Sequence, residues 1–489
     1  MAGCDGSKAI RVAPQRIYSL CPDFVWDKDF FIFLIPKVKK EEKHMASNQR
    51  DSFKTTWGFI FAGVGSAVGC GNIWRFPIMV SRYGGLTYII PYLIFVVLVA
   101  NSGVMEEFAL GRAAKAGPIG SFGMATKKAG KGEGLGRAIG VVPVIGSLGL
   151  AIGYTCVFGW IVKYAFKAIN GSLFAIGADM DQLGYVFGVE TAAAFSNNIW
   201  IIIAAALALS IMVFGISNGI EKANKFLMPA LFVLLVGLAI YVATLPGAGD
   251  GYKYILTVKP EGLLDPNTWI YAFGMAFFSL SVAGNGSVIY GSYLPDTEDI
   301  PYSAARVAVF DTIASLLATF VILPAMAAGG VSCDSSGPGL IFIYLCNVMN
   351  AMPAGRIIGI IFFVLFVFAA LSSIINMYEV SVAYIESKFK LNRIISSVIG
   401  IVIGAVVAIF IQGIASDWMD VVNNYICPLG ALLAAIMFFW VCGEDFALAE
   451  VNKGASKPRG KGFIILGKYV FCIASVIALV AGVLLGGIG

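Results

Sequence analysis

The sequence contains one histidine and few charged residues, and both shortages restrict what the protein can do. His44 is the only histidine in 489 residues, which excludes a catalytic centre or a zinc site built on several imidazole groups. Charged residues account for 13% of the chain, about half of their share in soluble domains. The net charge of +5 is too small to indicate a nucleic-acid partner.

The nine cysteines follow no pattern that would indicate a disulfide framework or a metal site. Most of them lie inside apolar segments, as Cys156 and Cys346 do. Those segments also contain no clustered nucleophile and base. The sequence therefore argues against a membrane-embedded enzyme, and no catalytic residue is assigned.

Hydrophobic residues make up 58% of the chain and recur in runs of about 20 residues with short polar gaps. This pattern predicts an all-α integral membrane protein with about eleven spans, numbered here in chain order. Their predicted bounds are 57–79, 86–111, 139–167, 196–216, 225–245, 267–293, 303–328, 356–386, 394–413, 421–442 and 464–487.

The basic residues predict the orientation of these spans. Lys and Arg are concentrated in the gaps after spans 2, 4 and 8 and before span 11, whereas residues 168–196 contain none. Because cytoplasmic loops carry the excess of Lys and Arg, we expect a multi-pass plasma-membrane protein with a cytoplasmic N-terminus and an external C-terminus. The acidic gap after span 6 fits this orientation less well.

Residues 1–44 do not fit the membrane pattern, because their apolar run at 30–35 is far too short to span. They also lack a convincing signal-peptide cleavage site. We hypothesise that translation starts at Met45 and that 1–44 is disordered or an upstream artefact. Residues 45–489 then form the membrane domain.

Two spans contain residues that disfavour an intact helix. Span 1 has four glycines and a proline between positions 63 and 77, and span 6 has the run SLSVAGNGS at 279–287. Unwound backbone at membrane depth is tolerated where it lines a cavity or binds a ligand. Paired breaks in matching places predict two inverted repeats, 57–245 and 267–442, with 464–487 as an extra span.

The motifs in these breaks resemble the neurotransmitter:sodium symporter family over about residues 48–487. They are GSAVGCGNIWRFP at 65–77, Gly84-Gly85, FFSLS in span 6, FAALSS at 368–373 and DWMD at 417–420. Eleven spans are typical of the prokaryotic amino-acid transporter branch. The resemblance implies sodium-coupled uptake of a small molecule by alternating access, with no covalent chemistry.

The resemblance implies two sodium sites, and sodium prefers oxygen ligands. Site 1 maps onto Ala67, Asn72, Ser279 and Asp311. Site 2 maps onto the carbonyls of Gly65, Val68 and Ala369 with the hydroxyls of Ser372 and Ser373. Taken alone, paired serines in a span would be expected to hydrogen-bond to their own helix.

The resemblance places substrate binding at the breaks in spans 1 and 6. The expected residues are Ala67, Cys70, Gly71, Tyr154, Phe278, Ser279, Ser281, Gly284 and Met377. Gly69 stands where monoamine transporters of the family carry aspartate, so the substrate should supply its own carboxylate. A neutral, bulky hydrophobic or aromatic amino acid is favoured, although Asn285 could tune the pocket towards a more polar one.

Asp311 distinguishes the chain from relatives that have asparagine there and bind chloride. Tyr92 and Ser315 match the chloride site, but Met275 replaces a polar ligand. Asp311 should supply the negative charge itself, so no chloride requirement is expected.

The resemblance also implies gates and one structural carboxylate. Arg75 and Asp420 match the outer pair, Arg50 matches the inner arginine, and Glu386 is a candidate partner for it. Glu107 matches a carboxylate that hydrogen-bonds to the unwound part of span 6. The remaining alternatives are an amino-acid sensor with little transport and a proton-coupled transporter. The sequence makes no prediction about protein partners.

Overall fold

The computed structural model describes residues 51–282, 284–333, 339–352 and 354–485. The predictions for residues 1–44 and for Arg50 lie outside this range. Every regular element in the described residues is helical, which confirms the all-α fold. Seven helices are long and apolar enough to cross a bilayer. One of them, 393–441, contains spans 9 and 10, while spans 1, 4 and 6 are interrupted or shorter.

The spans consist of Thr56–Ala67, Gly71–Arg75 and Phe76–Tyr83 (span 1), Leu86–Val99, Ala100–Val104 and Met105–Ala114 (span 2), Val141–Asn170 (span 3), Asn198–Met212 (span 4), Ile216–Ile220 and Glu221–Ala243 (span 5), Pro266–Ser279 and Gly286–Gly291 (span 6), Ile300–Ala328 (span 7), Gly355–Phe389 (span 8), Arg393–Ile411 (span 9), Ala415–Val421, Val422–Ile426, Cys427–Ala435 and Ile436–Val441 (span 10), and Lys461–Ile465, Leu466–Phe471 and Cys472–Leu485 (span 11). Shorter helices in the gaps are Pro118–Lys128, Glu133–Ile139, Phe174–Ile176, Met180–Gly188, Ala248–Leu256, Pro260–Leu264, Leu340–Leu345, Cys346–Ala351, Gln412–Ile414 and Glu444–Asn452.

Both predicted breaks are present. Span 1 leaves helical geometry at Val68, where ψ is 101°. Span 6 breaks after Ser279, and the chain enters the left-handed region at Ser281, Gly284 and Asn285, with φ of 55°, 101° and 55°. The Ser281 hydroxyl donates to the Ser66 carbonyl at 2.6 Å, so the break in span 6 satisfies part of the backbone of span 1.

Span 5 begins earlier than predicted, at Ile216 rather than near residue 225. Gly215 has φ of 78° and forms the turn between spans 4 and 5. Lys222, which the predicted bounds place in the gap before span 5, therefore lies within this helix. Charged residues at a span end remain in contact with water or with partners, and hydropathy alone places them outside the helix.

The broken spans lie beside spans 3 and 8, which pack along each other. Both of these long helices contribute buried aromatic side chains to the core, among them Tyr154, Phe158, Tyr164, Phe366 and Tyr378. Side chains from all four spans line one internal pocket.

Candidate functional site

A fully buried carboxylate lies where spans 1, 2, 6 and 7 meet. Asp311 accepts hydrogen bonds from Asn72 Nδ2 at 2.6 Å and from Ser279 Oγ, which is 2.9 and 2.8 Å from its two oxygens. The Tyr92 hydroxyl donates to it at 3.3 Å. These donors are all neutral, and no lysine or arginine of the described residues forms a salt bridge with it. A buried carboxylate with neutral neighbours has the charge and the oxygen-rich surroundings that suit a monovalent cation.

The residues assigned to sodium site 1 largely converge on this carboxylate. Asn72 also donates to Ser279 Oγ at 3.1 Å, and its Oδ1 accepts from the Gly69 amide at 3.0 Å. Its side chain therefore links the break in span 1 to spans 6 and 7. Ala67, the fourth assigned residue, lines the adjoining pocket.

The residues assigned to sodium site 2 lie between spans 1 and 8. The Ser373 hydroxyl is 3.2 Å from the Gly65 carbonyl and 3.4 Å from the Val68 carbonyl. Ser372 donates instead to Ala369 within its own helix, at 3.0 Å. Ser373 therefore contacts span 1, whereas Ser372 makes the local bond expected of a serine in a span.

The pocket beside these two sites contains most of the residues assigned to substrate. Its lining residues are Ser66, Ala67, Gly69, Gly71, Ser147, Leu150, Tyr154, Phe278, Ser281, Gly286, Ser373, Asn376 and Met377. Cys70 contributes its backbone amide, which donates to the Tyr154 hydroxyl at 2.7 Å. An amide and a hydroxyl at the start of a helix are suited to bind a carboxylate.

Two glycines in span 1 make room at this end of the pocket. A Cβ atom at Gly69 would lie 2.4 Å from Ser373 Oγ and 2.6 Å from the Tyr154 hydroxyl. One at Gly71 would lie 2.9 Å from the Phe278 ring. All three distances are shorter than real Cβ contacts, so the backbone can approach the pocket this closely only because these two residues have no side chain.

The opposite end of the pocket contains polar residues that the sequence did not single out. Ser147 donates to the Met377 carbonyl at 2.9 Å, and Asn376 donates to the Gly286 carbonyl at 3.2 Å. A serine or asparagine inside a span gives no sequence signal that separates pocket lining from local hydrogen bonding. Gly284 is not among the lining residues and adjoins Ser147.

Asn285 does not line the pocket, so the suggestion that it could tune the substrate is not supported. Its Nδ2 donates to Glu107 Oε1 at 2.7 Å, and both residues are fully buried. The structure thus brings Glu107 to the unwound part of span 6, in the contact expected for it.

Arg75 contacts Phe278, which lines the pocket, and is not itself among the lining residues. Its guanidinium is 5.3 Å from the centre of the Phe278 ring, within range of a cation–π contact. Asp420 is close enough to attract Arg75, although the two form no salt bridge in this structure. The start of span 10 also contacts span 3, where Trp418 Nε1 donates to the Gly149 carbonyl at 2.7 Å.

A buried ion pair at the end of the bundle where span 1 begins, called here the basic end, was not predicted. Arg393 binds both oxygens of Glu379, at 2.8 and 2.5 Å, and Tyr293 donates to the same carboxylate at 2.6 Å. Glu386 lies 3.8 Å from Arg393. The signal available in the sequence was Glu379, a carboxylate inside an apolar span, which requires a partner.

Comparisons with known proteins agree with this geometry. The chain matches the family model described as sodium:neurotransmitter symporter family over residues 50–175 and 184–482. An uncharacterised sodium-dependent transporter of Methanocaldococcus jannaschii is 32% identical over 464 residues, covering 90% of this chain and 91% of the relative. A sodium-dependent neutral amino acid transporter of Homo sapiens is 27% identical over 58% of this chain and 42% of its own length.

A solved structure shares the fold. The crystal structure of MhsT in complex with L-phenylalanine has a TM-score of 0.79 and 32% identity, over 88% of this chain and 100% of that one. The relatives are named as transporters, which confirms the prediction that the protein is not an enzyme. By its sequence motifs, its fold and these matches, this multi-pass membrane protein belongs to the sodium:neurotransmitter symporter family.

Proposed function

We propose that the protein is a sodium-coupled symporter that imports a neutral, bulky hydrophobic or aromatic amino acid. The observation that carries the proposal is the buried Asp311 carboxylate with only neutral donors around it. Sodium at this position would balance that charge, since an uncompensated charge at bilayer depth costs several kcal/mol.

The substrate class follows from the end of the pocket near span 1. The Cys70 amide and the Tyr154 hydroxyl are suited to bind a carboxylate. Gly69 has no carboxylate side chain, so the substrate should supply that group. An amino acid would bring this carboxylate next to sodium site 1. Substrate and sodium then bind more tightly together than apart, which couples their transport.

We infer transport by alternating access from the two broken spans and the two predicted inverted repeats. Sodium orders the breaks, and substrate binding lets Phe278 and the Arg75–Asp420 pair close the outer side. Spans 1, 2, 6 and 7 then rock against the rest, and release of sodium from site 2 opens the inner side. The N-terminus is cytoplasmic in this proposal, and chloride is not required because Asp311 carries the negative charge.

The proposal is tested by uptake of a panel of labelled amino acids into proteoliposomes, with and without an inward sodium gradient. We expect sodium-dependent accumulation of apolar or aromatic members, and a loss of about tenfold or more in Asn72→Ala, which removes the link to Asp311. The control is Asn101→Ala, because the Asn101 amide donates to the Val97 carbonyl one turn back in span 2, away from Asp311. Sodium-dependent binding without uptake would indicate a sensor instead, and uptake that needs a pH gradient but not sodium would indicate proton coupling.

A further inference from the structure

Span 2 contains two consecutive glutamates, Glu106 and Glu107, whose side chains are both fully buried. Glu107 Oε1 accepts from Asn285 Nδ2 at 2.7 Å. No group in the described residues donates to the other oxygen of Glu107 or to either oxygen of Glu106. Most of the oxygens of this pair are therefore buried without a donor, which is costly for a charged group and calls for an explanation.

The pair lies where span 2 packs between spans 6 and 11. Gly103 is one turn earlier in span 2, and a Cβ atom there would lie 2.7 Å from the Phe471 ring and 3.3 Å from Val282. Glu106 is on the side of span 11, within electrostatic range of Cys472. Its carboxyl group is therefore enclosed by apolar helix surfaces, and no contact with water stabilises a charge on it.

Glu107 is on the side of span 6, where its neighbours stabilise a negative charge. Besides the Asn285 side chain, the backbone amides of Ser287 and Val288 face its carboxylate. All three groups belong to the break in span 6 and to the helix Gly286–Gly291 that follows it. Hydrogen-bond donors favour the charged form of a carboxylate, and Glu106 has none, so a proton shared by the pair resides on Glu106.

No cation neutralises the pair within the part of the chain that the structure describes. Neither glutamate forms a salt bridge there, and no cluster of three or more acidic, cysteine or histidine side chains could hold a metal ion. Spans 6, 7, 10 and 11 and the helices Pro118–Lys128 and Glu444–Asn452 pack on this part of span 2. Lys468 of span 11 pairs with Glu444, and Arg112 of span 2 pairs with Glu450. The other basic residues on these elements, all exposed, are Lys127, Lys128, Arg306 and Lys461. The buried titratable groups on them are Tyr290, Asp311, Cys427 and Cys472.

We propose that Glu106 and Glu107 form a proton-binding site, in which Glu106 holds one proton and Glu107 remains a carboxylate on the break in span 6. Two neighbouring buried carboxylates repel each other when both are charged, and one proton removes this repulsion. The proton comes from water and converts the Glu106 carboxylate to a carboxylic acid. Loss of this proton at alkaline pH places a second negative charge beside the contact between Glu107 and Asn285, and so weakens the break.

Infrared spectroscopy of the purified full-length protein in detergent tests the site directly, because a protonated carboxyl group absorbs separately from a carboxylate. At neutral pH we expect the wild type to show a protonated carboxyl band that is lost in Glu106→Gln. The matched control is Glu379→Gln, because Glu379 is an equally buried glutamate of span 8 that binds Arg393 at 2.5 Å. This control should leave the band unchanged.

The pH dependence of thermal stability gives a second readout. An unfolded chain releases the proton of Glu106 above about pH 4.3, whereas the folded protein retains it. Each unit of pH above this value therefore shifts the wild-type folding equilibrium about tenfold towards the unfolded chain, as long as the folded protein keeps the proton. Glu106→Gln and Glu106→Leu cannot titrate, so we expect their melting midpoints to fall less steeply than that of the wild type between about pH 5 and about pH 8. Glu106→Asp retains a titratable group and should keep the wild-type slope.

A wild-type spectrum without the band, or a band that survives in Glu106→Gln, would overturn the proposal. Equal slopes in the wild type, Glu106→Gln and Glu106→Leu would overturn it as well. A midpoint that rises with sodium in the wild type but not in Glu106→Gln would assign a cation to the pair instead of a proton. If Glu106→Gln does not fold, the comparison of Glu106→Leu with Glu106→Asp decides. Neither readout requires a substrate, so a failure here is distinct from a failure of the proposed transport.

Discussion

At the scale of single residues, the sequence identified two carboxylates whose charge is unusual for their surroundings, but it missed Glu379. Asp311 and Glu107 are carboxylates inside apolar segments, and both are fully buried against neutral donors. Ser147 and Asn376, which line the pocket, were missed because a serine or asparagine in a span usually forms a hydrogen bond to the preceding turn of its own helix. Only the packing of neighbouring helices shows which of these side chains line a pocket.

The Gly69→Ala substitution tests how closely the unwound backbone approaches its partners. The new methyl group would lie within 2.6 Å of both Ser373 Oγ and the Tyr154 hydroxyl, so we expect phenylalanine binding to weaken by about tenfold or more. The control is Gly237→Ala in span 5, where nothing lies within 4 Å of the added atom. Equal binding by the two variants would show that the break tolerates a side chain and that its geometry is not required.

At the scale of elements, composition predicted the two breaks but not the contacts that stabilise them. Four glycines in span 1 and the serine–glycine run in span 6 are poor helix formers wherever they stand. Glu379 in span 8 accepts from Arg393 at the start of span 9 and from Tyr293, which follows span 6 and is 86 residues away in sequence. Hydropathy and helical periodicity describe each residue within its own segment, so neither predicts ion pairs and hydrogen bonds between segments.

Removing Arg393 should destabilise the basic end of the bundle. Arg393→Gln leaves the fully buried Glu379 without its cation, and breaking a buried pair in this way costs about 3–5 kcal/mol. The matched control is Lys253→Gln, which removes a pair with Asp250 that is more than three-quarters exposed. Thermal denaturation in detergent should show a clearly lower midpoint for Arg393→Gln and almost no change for the control. Equal midpoints would mean that Glu379 is hydrated or protonated rather than held by Arg393.

At the scale of the whole molecule, the contacts at the basic end explain why the gap after span 6 is acidic. Asp296 pairs with Lys115 from the gap after span 2, at 2.9 Å, and with Lys453 from the gap before span 11, at 2.6 Å. Hydrogen bonds from Lys453 and Lys115 lower the pKa of Asp296 to about 2, so the carboxylate stays charged as pH falls until that range. Acidic residues contribute little to the orientation rule, and here they bind the basic residues that determine it.

The eleven-span architecture was predictable from hydropathy, while the helices within the gaps were not. Pro118–Lys128 and Glu444–Asn452 are short and only partly apolar, so they lie below the length at which an apolar run indicates a span.

If sodium and an amino acid cross the membrane together, the amino acid should drive sodium influx, and this influx can be measured. Proteoliposomes are prepared in gluconate medium with the same pH on both sides. Radioactive sodium is then added to the outside, with or without L-phenylalanine. Phenylalanine should stimulate sodium influx, and Asn72→Ala should abolish the stimulation. Sodium influx that is indifferent to phenylalanine, while a pH gradient drives phenylalanine uptake in the absence of sodium, would contradict it.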